Sequence, residues 1–270
     1  MRATAIALLG LWLAAASASA EIPHDEAVLI FQEANQLFRQ ANEASVNNPG
    51  EAYELYRSAA LRYERLTDEG GIENGRLYYN LGNAYYRMDD LGRAILNYRR
   101  AERFLPGDAD LMENLASARS RRLDRFELET GAKAMRTLLF WHYDLSFRLR
   151  RLLLALFSAA FWALAAWGVW RGRQAPRGAL LATGLLAAAM AVSLGAEAFS
   201  AASSEGGVVT APETVARKGD GETYEPAFTE PLHAGAEFRL LERRPDWYRG
   251  KLPDGRAFWV PARDVELVAR

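Results

Sequence analysis

The chain has 270 residues, 50% hydrophobic and 25% charged, enough for two or three small domains. Its formal net charge of −1 lacks the basic excess that releases phosphate counterions, which argues against a nucleic-acid binder. With no cysteine, disulfides, thiolate–metal sites and cysteine nucleophiles are excluded.

Residues 1–20 read as a secretory signal peptide. Arg2 supplies a short positive region, 6–15 an apolar core, and Ala18, Ser19 and Ala20 the small-residue pattern of a cleavage site. The apolar core is short for a membrane span, which favours cleavage. The domain that follows is then expected outside the cytoplasm.

Over 21–130 apolar residues recur at helical spacing, with turn signals at Asn48-Pro49-Gly50, Gly70-Gly71 and Pro106-Gly107. Within 75–108, Tyr78, Leu81, Gly82, Tyr85, Ala94, Tyr98, Ala101 and Pro106 stand where the tetratricopeptide repeat of ~34 residues has its signature, and the stretch resembles that family. The small Gly82 and Ala94 let two antiparallel helices approach, while the tyrosines fill the space between turns. Pro106 ends the second helix and Asp108 is placed to cap a third. Phe31, Ala34, Asn35 and Phe38, with Ala59, Tyr63 and Leu66, fit an earlier pair, provided about a dozen extra residues lie around 44–52. A solvating cap helix is expected over 108–122. The resemblance puts Asn80, Asn83, Tyr86 and Arg87 near a concave, partner-binding face, where amides and a guanidinium can hold a peptide backbone or terminal carboxylate. Tyr79 occupies a place where the family's basic clamp has lysine, so capture of chaperone tails is not expected.

Residues 131–151 carry Trp141, Tyr143 and Phe147 ahead of Arg148, Arg150 and Arg151, which suits an amphipathic segment at the headgroup level with His142 as an interfacial side chain. Residues 152–170 and 178–199 read as two transmembrane helices, uncharged over 152–170 and 178–196, joined by a turn over 171–177. A bilayer core of about 30 Å needs ~20 apolar residues, so each run is long enough to span. A tight hairpin puts the flanking domains on one side. The turn carries Arg171, Arg173 and Arg177, matching the arginines before the first span, so flanking charge gives no orientation and the signal peptide decides it. Small residues at Ala155/Ala159/Ala163 and Ala187/Ala191/Gly195 predict the seam between the helices. Glu197, at the outer edge, is expected to need no buried partner.

After a linker over 200–205 the pattern turns to β, with strands at 208–210, 236–241, 247–252 and 257–260 and a hairpin turn at Pro253-Asp254-Gly255-Arg256. The Asp-Trp-Tyr opening at Asp246, the Leu-Pro-Asp-Gly-Arg turn and Trp259-Val260 resemble the bacterial Src-homology-3-like (SH3-like) domain over 206–270. Thr214 to Asp220 departs from that family's Asn-Val-Arg-Ser-Gly-Pro run, keeping the arginine and glycine but losing the proline. Trp259 is expected in the core, and Tyr224 and Trp247 in an aromatic groove for a peptide or cell-wall ligand.

His24, His142 and His233 lie on unrelated segments without metal-ligand spacing, and no nucleophile elbow, phosphate loop or dinucleotide fingerprint occurs. Neither catalysis nor a cofactor is expected. The fold class expected is a multidomain membrane protein: an all-α helical repeat, a two-helix transmembrane hairpin and a small all-β barrel. That order, with 78–87 (Tyr-Tyr-Asn-Leu-Gly-Asn-Ala-Tyr-Tyr-Arg) and 92–98 (Gly-Arg-Ala-Ile-Leu-Asn-Tyr), resembles the BatE-type proteins of the Bacteroides aerotolerance operon. The resemblance implies a bacterial inner-membrane protein, both soluble domains periplasmic, in contact with membrane lipid and with membrane-bound von Willebrand A-domain partners. The role implied is a scaffold; a cell-wall-binding sensor using the β domain is the alternative.

Overall fold

Helix boundaries in the N-terminal half are set by side-chain caps. Asn48 accepts from Glu51 N at 3.3 Å, Asn74 from Arg76 N at 2.8 Å, Asp90 from Arg93 N at 3.0 Å and Asp108 from Leu111 N at 3.1 Å. Each such cap is worth ~1 kcal/mol. The computed structural model describes residues 22–127, 130–172, 176–202 and 206–269. Its first helices are α1 (His24–Ala44), α2 (Pro49–Asp68), α3 (Gly75–Arg87), α4 (Leu91–Phe104) and α5 (Ala109–Arg121). The signal peptide expected over 1–20 lies outside the described residues.

Antiparallel pairs form from α1 with α2 and from α3 with α4. Tyr78, Leu81, Gly82, Tyr85, Ala94, Tyr98 and Ala101 are all buried. A Cβ on Gly82 would stand 2.6 Å from the Tyr98 ring and 3.3 Å from the Ala94 carbonyl, so the close approach demands glycine. Pro106 lies in the turn after α4. The extra residues around 44–52 do not form a longer connection. They lengthen α1 and α2 beyond the second pair, and the overhang buries Ala41, Ala52 and Tyr56 in its own cluster.

The segment expected as one amphipathic stretch over 131–151 is broken into α6 (Thr130–Leu138) and α7 (Phe140–Tyr143), and its last residues belong to the next helix. Ser146 caps α8 (Phe147–Arg171), and α9 (Arg177–Ala202) runs back beside it. Both are long and apolar enough to cross a membrane. Their seam is not the alanine stripe. Ala155, Ala159, Ala163, Ala191 and Gly195 are exposed and only Ala187 of the stripe is partly covered, whereas Phe157, Phe161 and Gly184 are partly covered and Gly168 and Met190 buried, with Phe161 against Gly184. The phase is fixed at the open end by charge. Arg150, with only 4% of its side chain exposed, pairs with Glu197 and donates to Ser193 Oγ at 2.9 Å, while His142 Nδ1 shares that hydroxyl at 2.9 Å. Glu197 therefore does have a buried partner, because Arg150 is packed between the helix ends and needs a counter-charge there.

Beyond 203–205 the chain forms β1 (Gly206–Val209), β2 (Glu213–Thr214), β3 (Leu232–His233), β4 (Glu237–Arg243), β5 (Trp247–Lys251), β6 (Ala257–Pro261) and β7 (Val265–Leu267). Five of these make an antiparallel sheet in the order β6-β5-β4-β1-β7, with β2 and β3 paired apart. Gly255 takes φ +94° in the turn between β5 and β6, as its place in Pro-Asp-Gly-Arg requires. Alternation on β4 sends Phe238 into the sheet's core and Glu237 to the other face.

That other face is covered by α4 and α5. Arg119 grips Glu237 with two hydrogen bonds of 2.8 and 2.7 Å, Arg122 adds one of 3.0 Å, and Arg99 approaches to 3.5 Å. Arg100 donates to Glu266 at 3.1 Å and to the Leu267 carbonyl at 3.0 Å, closing the edge left open on β7. Asp124 accepts from the His233 backbone at 2.7 Å. Val208 and Val268 belong to the helical core, and Gly92 and Gly235 sit where a side chain would strike the opposing element. Helix α5 is thus not a solvating cap: Leu111, Leu115 and Ala118 pack inward and its arginines hold the sheet.

Burial of Glu237 works against its charge, but the hydrogen bond from Arg119 and the charges of Arg119, Arg99 and Arg122 outweigh it and hold the carboxyl below its ordinary value. A depressed carboxyl adds stability that is complete above its unfolded value, about 4.3, and is lost as pH falls through the folded one. Glu237→Gln should cost roughly 3 kcal/mol, since three cations lose their common anion. In the purified full chain it should lower the unfolding midpoint and speed hydrogen exchange over 91–122 at pH 7, and shrink the difference from wild type as pH falls below about 4.

Candidate interaction face

Each helical pair is closed by a tyrosine on its second helix donating to an asparagine on its first. Tyr63 donates to Asn35 Oδ1 at 2.7 Å, and Tyr98 to Asn83 Oδ1 at 2.8 Å. Successive pairs are joined by an amide onto that same acceptor: Asn80 Nδ2 donates to Asn35 at 3.1 Å, and Asn114 Nδ2 to Asn83 at 3.0 Å. Asn80 and Asn114 stand ~34 residues apart, the spacing expected from the sequence for a helical repeat. The same three-residue linkage is therefore built twice, across α1, α3 and α5.

These asparagines line one face because α1, α3 and α5 are the first helices of their units, while α2 and α4 stand behind. Tyr86 continues the row, its hydroxyl 2.8 Å from Ser117 Oγ and its ring 5.1 Å from the Arg121 guanidinium. Burial pushes the Tyr63 hydroxyl up to about 12, against the hydrogen bond with Asn80, and pushes Tyr98 up as well. The hydrogen bond with Ser117 and the nearby Arg121 hold Tyr86 below the ordinary tyrosine value despite partial burial. Tyr63 and Tyr98 therefore remain protonated donors near pH 7.

The residues singled out for partner contact separate into two kinds. Asn80 and Asn83 are half-buried and their amides bridge helices, so they shape the face as well as line it. Arg87 is exposed, and Tyr86 lies between these extremes. Asn35, Asn114 and the exposed Arg39 complete the face; the spacing of Asn114 from Asn80 was the signal for it. Among the described residues Arg39 and Arg87 form no ion pair, and the Nδ2 groups of Asn35 and Asn83 have no intramolecular acceptor. Amide donors flanked by two free guanidinia can take backbone carbonyls and a carboxylate.

The β domain offers less. The ring of Tyr224, 50% exposed, lies over Gly219, and half-buried Trp247 pairs on β5 with Pro261; no ring contact joins them among the described residues. Trp259 is buried, as expected of a core residue, and the Arg244 guanidinium covers its ring at 4.6 Å. Arg217, in the segment that departs from the family run, exchanges backbone hydrogen bonds of 2.8 Å with Trp259 and donates to the Tyr224 carbonyl.

Asn83→Ala should destabilise the helical domain by about 1–2 kcal/mol, because the buried Tyr98 hydroxyl loses its acceptor. Adding Tyr98→Phe should recover part of that loss in denaturant unfolding, whereas independent side chains would give additive costs.

No known family, curated protein or solved structure matches the chain.

Proposed function

We propose that the protein is a membrane-anchored scaffold whose tetratricopeptide-like helical domain holds a protein partner beside the bilayer, as in the BatE-type proteins that the sequence resembles. The observation that carries this reading is the asparagine row with free Arg39 and Arg87 beside it, a surface suited to an extended acidic segment. The hairpin anchors the chain in the bacterial inner membrane. The SH3-like β domain serves as a buttress for the helical array, and both soluble parts are periplasmic. The partner class is the membrane-bound von Willebrand A-domain protein of a BatE-like complex linked to aerotolerance or envelope stress. The role is binding rather than catalysis. The alternative, a cell-wall sensor acting through Tyr224 and Trp247, has weaker support, since the Arg244 cover on Trp259 and the Tyr224 packing on Gly219 fill the surface it would use.

Affinity purification of the full chain from membranes tests the scaffold. Arg87→Glu should weaken capture of a von Willebrand A-domain partner about thirtyfold, equivalent to the ~2 kcal/mol of a typical hot spot, with unchanged unfolding. Unaltered capture by that variant would move the binding surface elsewhere.

Orientation has its own readout. A reporter active only outside the cytoplasm should work when fused after Arg125 or Arg270 and fail after Arg173. Activity confined to the turn fusion reverses the topology.

A further inference from the structure

Successive contacts along α4 fix which end of the sheet looks toward the hairpin. Near the start of α4, a Cβ on Gly92 would lie 2.8 Å from the Val209 carbonyl. Further along, Arg100 donates to the Leu267 carbonyl at 3.0 Å and Arg103 to the Val268 carbonyl at 3.5 Å. Just beyond its end, Gly107, at φ +69°, meets the Phe147 side chain at the start of α8 and leaves no room for a Cβ. On β1, Gly207 stands opposite Leu267 and Gly206 opposite Arg239, so the first residue of β1 lies on the hairpin side. From there β4 runs on past Gly206 through residues 240–243, about 13 Å of strand directed toward the open end of the hairpin. This end of the sheet carries Arg239, Arg243 and Arg249, all exposed and none in an ion pair among the described residues. Arg244 is neutralised by Glu242 and Asp220. On β4, β5 and the turn between them, Asp246 is then the single carboxylate without a cation among the described residues. The bulge between Leu240 and Glu242 leaves Leu241 unpaired and 43% exposed among these charges.

We infer that the β4–β5 end of the sheet docks on the anionic phospholipid headgroups of the leaflet from which the hairpin emerges. The inference rests on the hairpin crossing a bilayer, since headgroups then begin at its open end, where the apolar runs stop. Three unpaired arginines against one carboxylate leave this end of the sheet net positive, and a layer of phosphates complements it. Arg243 is held over the Tyr248 ring at 5.7 Å, just as Arg151 on α8 is held over Phe147 at 5.7 Å. Arg148 and Arg151 are likewise exposed and without an ion pair among the described residues, so two separate elements present free cations toward one level. Leu241 supplies the apolar side chain that an interfacial surface sets among the headgroups. The opposite end of the sheet lacks this character: in the turn between β5 and β6, Arg256 is tied to Asp254 at 2.7 Å. Docking would give the β domain a hold on the bilayer beyond the hairpin and fix the support it lends α4 and α5.

The chain has no cysteine, so a single introduced cysteine reports position without background. The test places the full chain, one copy per lipid nanodisc, with an environment-sensitive fluorophore at Leu241→Cys. The control label is at Val46→Cys, 81% exposed in the turn between α1 and α2. Quenching by headgroup-nitroxide lipid is read in phosphatidylcholine alone and with one-quarter phosphatidylglycerol. The label at 241 should be quenched when phosphatidylglycerol is present, and the label at 46 in neither case. The ratio of docked to undocked chains should rise about fivefold with phosphatidylglycerol, matching the ~1 kcal/mol of one basic residue at an anionic surface. Arg243→Glu with Arg249→Glu should abolish that rise without changing unfolding in detergent, and Arg57→Glu, on α2, should keep it. Quenching at 241 no greater than at 46, equal quenching with and without phosphatidylglycerol, or indifference to the double reversal each overturns the docking. A label at 241 shielded from water yet unquenched by lipid gives the patch to a protein partner and overturns it too. Alkaline extraction of native membranes is run alongside. Release of the chain there refutes the spanning hairpin itself, whereas an embedded chain with an unquenched label at 241 refutes only the docking.

Discussion

One carboxylate holds the soluble parts together. Glu237 stands on the helix-facing side of β4 and collects Arg119, Arg122 and Arg99 from α4, α5 and the residue that follows α5. Such a cluster is strongly directional. A bidentate guanidinium fixes both angle and distance, so the sheet can seat on the helices in only one register. Hydrophobic contact through Val208, Val268 and Ile95 adds area without direction, and the charges select the arrangement.

The consequence falls on α4. Gly92, Ala94, Ile95, Leu96, Asn97, Tyr98, Arg100 and Ala101 are all buried, so this helix has almost no solvent face. A helical array of two pairs and one further helix is short for independent stability, because each unit buries its apolar face only against a neighbour. Here the β domain covers the side of α4 and α5 that a longer array would close with more repeats, and Phe147 meets the turn between them. The face formed by α1, α3 and α5 is the side left open. That division explains why Asn35, Asn80, Asn83 and Asn114 both bridge the helices and remain partly exposed.

At the open end of the hairpin, the polar group Arg150–Glu197–Ser193–His142 aligns α8 and α9 where the apolar run of the first begins and that of the second ends. Once that end is registered, the helical phase places Phe161 against Gly184 and turns Ala155, Ala159 and Ala163 outward. Small-residue spacing is compatible with close packing on any face. Which face is used depends on where the larger side chains and the buried charge find partners.

Local patterns were enough to determine the helices of the N-terminal half, the close helix approach at Gly82 and Ala94, the cap at Asp108, the two long apolar helices, four of the strands and the Gly255 turn. Each of these depends on periodicity, backbone freedom or a neighbour a few residues away, and such information is written contiguously. The short strands β2, β3 and β7 leave no mark in the sequence, because two or three residues carry no alternation and they exist only where a partner strand supplies hydrogen bonds. Asn80, Asn83 and Arg87 were visible as polar places in a repeat, but the bonds that distinguish a bridging asparagine from a free arginine join helices far apart in the chain. The tertiary structure alone decided that Glu237 would meet three arginines more than a hundred residues before it in sequence, that Glu197 would neutralise Arg150, and that α5 would support a sheet rather than face water. Charges on distant segments carry no local sign of their partners; only the packing that removes them from water makes one pairing cheaper than all others.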